Sequence, residues 1–186
     1  MLMHLNNLKA QAGVGLIEVL VALILLAIGV LGYVALQLKA MDASSEALTK
    51  SQAMIIMRGL AENIRVNSVQ AGQYPAFVRS YSNFSSTTVV PTSCFNTACT
   101  PSQLAQFDAY QAAKNADQLG IKITMTSCPG VTSTMTTQRQ CLFAFWGKTL
   151  PVISTSGSAS TVDISNCISS SGIYVSNSKC LMMEAY

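Results

Sequence analysis

Histidine and charged residues are scarce in this sequence. Its one histidine is His4, and only 10% of its 186 residues are charged. The chain that follows His4 contains no imidazole to act as a catalytic base or a zinc ligand. The basic residues exceed the acidic ones by three and are scattered from Lys9 to Lys179. This distribution excludes the concentrated basic surface that is typical of nucleic-acid-binding proteins. We therefore expect no enzymatic activity, no metal and no cofactor.

The six cysteines all lie in the second half of the chain, and none of them forms a C-x-x-C pair of the kind that binds zinc. An even number of cysteines among Ser/Thr-rich segments is typical of disulfides in an oxidising compartment. Six cysteines allow 15 connectivities. Spacing favours neighbours, and closing a loop of a dozen residues contributes roughly 3 kcal/mol. The pairs expected on this ground are Cys94–Cys99, Cys128–Cys141 and Cys167–Cys180.

Residues 19–36 form a continuous apolar run without a charged side chain. At 1.5 Å per residue a helix of this length reaches about 27 Å, close to the ~30 Å hydrocarbon thickness of a bilayer. The alternative is a secretory signal peptide, but no A-x-A cleavage site follows and Glu18 stands at the entrance of the run. Because the cysteines must lie outside the cytoplasm, we expect a single span over about residues 16–38 with a cytoplasmic N-terminus.

The helix is expected to continue well beyond the apolar run, since no proline occurs before Pro75. An apolar stripe with helical spacing follows, and charged residues occupy the other side of the helix. The stripe consists of Ala53, Ile56, Met57, Leu60, Ala61 and Ile64. We expect one helix from about Gly15 to Val69 with a stop near Gly72, so that residues 14–70 form a stem whose second half packs on the head.

Residues 71–186 are expected to form a globular head outside the cytoplasm. Thr100 followed by Pro101 predicts the start of a second helix that ends at Gly120. Five β-type runs follow, which predict three to five antiparallel strands, and residues 154–161 are expected to form a mobile loop. The runs are Ile121–Thr126, Cys141–Trp146, Thr161–Ile164, Ile173–Ser176 and Leu181–Glu184. The fold class is therefore α+β, with a long N-terminal helix packed on a small, disulfide-linked antiparallel sheet.

The segment Gly13-Val-Gly-Leu-Ile-Glu18, followed by the apolar run, resembles the class III signal of type IV prepilins and related pseudopilins. The resemblance implies a leader at 1–13 that a prepilin peptidase removes by cutting after Gly13. It also implies methylation of the new N-terminal residue, Val14, and makes Glu18 the acid at the fifth mature position. Many members of the family have Phe at the first mature position, so Val14 is a departure.

Further segments are similar to minor pilins of the PilV type, although residues 120–186 show no such likeness. These segments are residues 27–32, 35–38, 60–67 and 99–108. The resemblance implies a pilin-like head and a subunit that helps to prime pilus assembly and supports adhesion, twitching motility or DNA uptake. The implied partners are other major and minor pilins, the prepilin peptidase/N-methyltransferase and the inner-membrane assembly platform. The protein would lie first in the bacterial inner membrane and then in the extracellular pilus.

Glu18 has a physical reading of its own. A carboxylate inside a membrane span is unfavourable by ~2.5–3.5 kcal/mol at the centre and less near an end, so it normally has a partner. Cleavage after Gly13 would create an ammonium group at Val14, and an amine and a carboxylate on neighbouring subunits could neutralise each other and fix their stagger. The alternative is that Glu18 is solvated at headgroup level and has no role.

Two other functions stay open on the sequence alone. One is a minor pseudopilin of a type II secretion system, which shares the N-terminal motif. The other is a membrane-anchored adhesin that never polymerises and therefore keeps its leader. Binding of DNA or a host surface has no support beyond the scattered cations Arg139, Lys148 and Lys179, which are usually just solvated.

Overall fold

The computed structural model describes residues 13–131, 135, 138–156 and 159–186. The expected leader therefore lies outside the described residues except for Gly13. The contacts divide the chain into two units, the first ending at Glu46 and the second comprising Ala47–Tyr186. Helix α1, Leu16–Val66, contributes to both units. In the first unit its side chains are exposed almost throughout, including every large apolar side chain from Leu16 to Leu38.

In the second unit α1 presents its apolar stripe to the core. Ala53, Met57, Leu60, Ala61 and Ile64 are buried, as their helical spacing predicts, and Ile56 is partly buried against the same cluster. A six-residue 3₁₀ helix over Ser68–Gln73 follows α1 and leads directly into a second α-helix, α2, Tyr74–Ser80. The single long helix forms as expected but ends at Val66 rather than near Val69. The stop expected near Gly72 is wrong, because Gly72 lies inside the 3₁₀ helix. After Val66 the chain forms the narrower 3₁₀ helix and returns to an α-helix at Tyr74. Pro75 is compatible with this new start, because it occupies the first turn of α2, where its missing N–H has no helical acceptor to lose.

Helix α3, Pro101–Gln118, begins and ends where its local signals place it. The Thr100 hydroxyl accepts a hydrogen bond from the Gln103 amide, and the Gln103 side chain accepts one from the Thr100 amide, which completes a capping box. Gly120 has φ +68° and donates its amide to the Asp117 carbonyl just past the helix. That left-handed conformation favours glycine, which explains why the helix ends there.

The five strands are β1 (Ile121–Ser127), β2 (Gln140–Trp146), β3 (Val152–Ser156), β4 (Ala159–Asp163) and β5 (Cys180–Glu184). Strands β1, β2 and β5 form an antiparallel sheet with β2 in the centre. The alternating side chains of β2 enter two different cores. Leu142, Ala144 and Trp146 pack with the helices, and Cys141, Phe143 and Phe145 pack on the opposite face. All three aromatic residues of β2 are thus core residues, which leaves no stacking surface there for a sugar or a base.

Strands β3 and β4 form a separate antiparallel hairpin with Val152 opposite Asp163. The expectation of a mobile loop over residues 154–161 is therefore wrong, although residues 157–158 of that segment lie outside the described residues. The error comes from composition, since serine and threonine fit an exposed strand as well as a loop. The strand expected at Ile173–Ser176 is also wrong, because only a single bridge between Ile168 and Tyr174 forms there.

Three disulfides link cysteines that are neighbours in the sequence. They join Cys94 to Cys99, Cys128 to Cys141 and Cys167 to Cys180. The last two pairs lie in the second core with Phe143, Phe145 and Ile168. These cross-links cover the outer face of the sheet, where no helix packs.

Candidate assembly site

The start of α1 brings Gly13, Val14 and Glu18 into one short segment. Gly15 precedes the helix, and its carbonyl accepts hydrogen bonds from the amides of Glu18 and Val19 at 3.0 and 3.4 Å. Glu18 is the acidic residue of the first helical turn, where the helix dipole favours a negative charge. The position of Glu18 is therefore compatible with a stable helix start.

Val14 and Glu18 line the same open groove, which has a volume of about 450 Å³. Its other lining residues are Val19, Ala22, Leu23 and Leu26, so one carboxylate lies at the end of an otherwise apolar surface. Val14 is 71% exposed. A backbone amine at Val14 would lie on the same side of the stem as Glu18, with nothing in the described first unit covering either residue.

Glycine at position 13 has no explanation in the packing of the chain. A Cβ atom at Gly13 would meet no heavy atom within 4 Å, and the same is true of Gly29 and Gly32 inside the helix. A helical glycine costs about 1 kcal/mol relative to alanine, so two of them in an exposed stem need another reason. Close approach of other helices at Gly29 and Gly32 would be such a reason, and it lies outside the single chain.

The apolar part of α1 is long enough to cross a membrane. Among the described residues, α1 is the helix that contains an 18-residue window with the length and composition of a membrane span, and none of that window is buried. A core helix of a soluble protein would bury it. The window instead offers a continuous apolar surface to lipid or to other helices.

The second unit contains a polar cluster that sequence reasoning missed. Tyr74 donates its hydroxyl to Asp108 Oδ2 at 2.7 Å, and the Asn67 amide group donates to the Pro101 carbonyl at 2.8 Å and to the Tyr74 oxygen at 3.4 Å. Burial raises the pKa of Asp108, and the hydrogen bond from Tyr74 opposes that rise. Burial, followed by the bond to Asp108, raises the pKa of Tyr74. No local sequence signal joins residues that are so far apart in the chain.

Within the described part of the chain, no group of three His, Cys, Asp or Glu side chains could hold a metal ion. The Asp117 carboxylate binds Lys122 at 2.6 Å, and Glu184 lies 3.4 Å from Arg139. These two ion pairs are partly or largely exposed and connect neighbouring elements.

A stem that can span a membrane, an acid in its first turn and a disulfide-linked head of helices and antiparallel sheet define a pilin-like structural subunit. Two family models match adjoining parts of the chain. Residues 8–34 match the prokaryotic N-terminal methylation motif, and residues 35–110 match the type IV pilin Tt1218. No curated protein and no solved structure matches the chain. The two matches show that the chain is similar to type IV pilins over residues 35–110 and to the methylation motif over residues 8–34, and they support a pilin-like structural subunit.

Proposed function

We propose that this chain is a minor pilin of a type IV pilus, of the PilV type, that helps to prime pilus assembly. The proposal rests above all on the methylation motif at residues 8–34, which coincides with an exposed apolar helix and an acid in its first turn. Adhesion, twitching motility or DNA uptake would depend on the pilus that the subunit helps to build. The role is structural and needs no catalysis by the chain.

In this proposal the stem of residues 14–70 first holds the chain in the inner membrane, with the N-terminus in the cytoplasm and residues 71–186 outside it. The prepilin peptidase cuts after Gly13 and methylates Val14. The new ammonium group on one subunit then neutralises Glu18 on a neighbour, which makes transfer of the carboxylate into an apolar filament core favourable. The assembly platform moves the subunit from the membrane into the filament.

The pairing of the ammonium with Glu18 fixes the register between stems. Residues 19–36 contain no charge, so sliding one stem along another changes the apolar contact little. The same sliding separates the ammonium from the carboxylate in a medium of low dielectric constant, where that separation is most unfavourable. Gly29 and Gly32 would let neighbouring stems approach closely.

The mature N-terminus tests the processing step. Mass analysis of the purified full-length chain should show a methylated Val14 as its first residue. Gly13→Ala should block cleavage without disturbing the fold, because the added Cβ meets no atom within 4 Å. Gly59→Ala makes the same change in open space farther along α1 and should be processed normally. A wild-type chain that still begins at Met1 would favour the unprocessed adhesin.

Location separates the remaining alternatives. A minor pilin should be recovered in pili sheared from the cell surface, and its deletion should reduce the number of pili. Loss of protein secretion on deletion, with pili intact, would contradict the proposal in favour of a type II secretion pseudopilin.

A further inference from the structure

A groove between the second half of α1 and helix α3 is distinct from the groove at the stem. Its volume is about 280 Å³. Ile55 and Leu60 contribute apolar surface, and Gly59 leaves space between them, since a Cβ at that position would contact nothing within 4 Å. Ile55 is 68% exposed although it is a large apolar residue on the folded unit. The groove thus offers a short apolar channel on the surface of the second unit.

A carboxylate without a cation lies in the same groove. Asp108 is partly buried and accepts a hydrogen bond from Tyr74 at one oxygen, Oδ2. Among the residues that the structure describes, no lysine or arginine forms an ion pair with it. Partly buried carboxylates are normally paired, because the loss of hydration is unfavourable unless an opposite charge compensates it.

Three carboxamide side chains complete the polar part of the lining. They belong to Asn63, Gln111 and Asn115, and none of them makes a side-chain hydrogen bond to another residue in the described part of the chain. Each carboxamide oxygen can accept a hydrogen bond from an N–H donor. The lining therefore combines an anion, hydrogen-bond acceptors and an apolar wall, which suits a cation carried on an alkyl chain.

We propose that this groove receives a lysine or arginine side chain from a neighbouring pilin subunit, an inference that rests on the filament role proposed above. The alkyl part of the incoming side chain lies along Ile55 and Leu60. Its charged end binds Asp108 and the carboxamide oxygens. An anion would be repelled by Asp108, and a neutral sugar would leave the carboxylate without a counter-charge, so charge complementarity selects the basic side chain.

Photocrosslinking in assembled filaments tests the occupant directly. A photoreactive amino acid replaces Ile55 in the full-length chain, and pili are irradiated and then digested. The proposal expects an adduct with a lysine- or arginine-containing surface segment of another pilin subunit. An adduct with a segment that lacks both residues, an adduct with a protein that is not a pilin, or no adduct at all would overturn it.

A substitution of Asp108 tests whether its negative charge is needed for binding in the groove. Asp108→Asn keeps an acceptor for Tyr74 and removes the negative charge, so the adduct yield should fall about tenfold. Asp163→Asn makes the same change at an exposed aspartate on β4 and should leave the yield unchanged. An equal yield in the two variants would overturn the role of Asp108.

A steric variant covers the case in which Asp108→Asn disturbs the fold. Gly59→Leu fills the groove from open space and should abolish the adduct, whereas Gly59→Ala should preserve most of it. If the chain with the photoreactive residue at position 55 and no other change enters sheared pili but gives no adduct, the groove proposal is wrong and the pilin function stands. If the wild-type chain is absent from the pili, both proposals are overturned.

Discussion

The hydroxyl of Tyr74 donates a 2.7 Å hydrogen bond to the carboxylate of Asp108, which joins the start of α2 to the middle of α3. The 3₁₀ helix and α2 follow α1 directly, so this bond also fixes where the chain turns after the long helix. Asn67 reinforces the turn by donating to the Pro101 carbonyl at the start of α3. The cluster therefore holds together the three helices of the second unit.

Replacing Asp108 by alanine should destabilise the second unit by about 1–3 kcal/mol, because Tyr74 is buried and its hydroxyl loses its nearest acceptor. Asp108→Asn retains an acceptor oxygen and should cost much less. Urea unfolding of the full-length chain in detergent, followed by circular dichroism, measures the difference. Equal losses in the two variants would show that the charge, rather than the acceptor, is what stabilises the native state.

Because of Asp108, we expect the stability of the folded chain to depend on pH. Burial raises the pKa of Asp108 above its unfolded value of 3.8, so its ionised form is less favourable in the folded chain than in the unfolded chain. Its contribution to stability is fully present below the unfolded pKa and is lost as pH rises through the folded pKa. The stability of Asp108→Asn relative to wild type should thus be highest at neutral pH and fall on acidification. A relative stability of Asp108→Asn that rises on acidification would contradict this sign.

Glu18→Ala should leave the chain inserted in the membrane and folded, because the side chain is exposed on an apolar helix and removing its charge makes that helix more apolar still. Incorporation into sheared pili, measured against the membrane pool by immunoblot, should fall by about tenfold or more as the proposed ion pair is lost. Glu62→Gln removes an acid from the same helix, where Glu62 pairs with Arg65 in solvent, and should have little effect. Normal incorporation of Glu18→Ala would refute the pairing.

The cap of α3 gives a prediction independent of function. Thr100→Ala removes the acceptor of the Gln103 amide and should destabilise the second unit by about 1 kcal/mol. Thr100→Ser keeps the hydroxyl and should behave like wild type. Both values come from the same unfolding measurement, and equal stability of the alanine variant would show that solvent replaces the cap without loss.

The three cysteine pairs lead to a prediction of the disulfide connectivity and to a ranking of the stability lost when individual disulfides are removed. A non-reduced digest analysed by mass spectrometry should contain the three neighbouring pairs and no crossed ones.

Replacing Cys128 and Cys141 together by alanine should destabilise the second unit by roughly 3 kcal/mol or more, since the loop is long and Cys141 is buried. The same change at Cys94 and Cys99 should cost less, because that loop spans only five positions and Cys94 and Cys99 contribute nothing to either buried core. The reverse order would contradict the role given to the second core.

Local signals predicted the elements that have strong local causes. Thr100, Pro101 and Gly120 mark the ends of α3 because a cap, a fixed φ and a left-handed glycine act over a few residues. The buried side of α1 could be predicted because its apolar residues repeat with the helical period. Strands β1, β2 and β5 are apolar runs between polar turns, and they form where expected.

The rest depends on contacts between distant parts of the chain. Helix α2 has only seven residues and contains a proline, so it is stabilised by packing rather than by propensity. Half of the residues in β3 and β4 are serine or threonine, and such a composition resembles a loop until the two strands pair. Asp108 could be noted as one of the few acids of the head, but its partner Tyr74 lies 34 positions away and no spacing rule connects them.

The disulfides follow one another along the chain without nesting or crossing. If the head leaves a translocation channel with its stem-proximal end first, its thiols are exposed in that same order. An oxidant that joins each newly exposed thiol to the one before it would generate the native pattern directly, and shuffling by an isomerase would be unnecessary. The covalent framework of the head can therefore be completed during export, as soon as Cys180 at the start of the last strand has emerged.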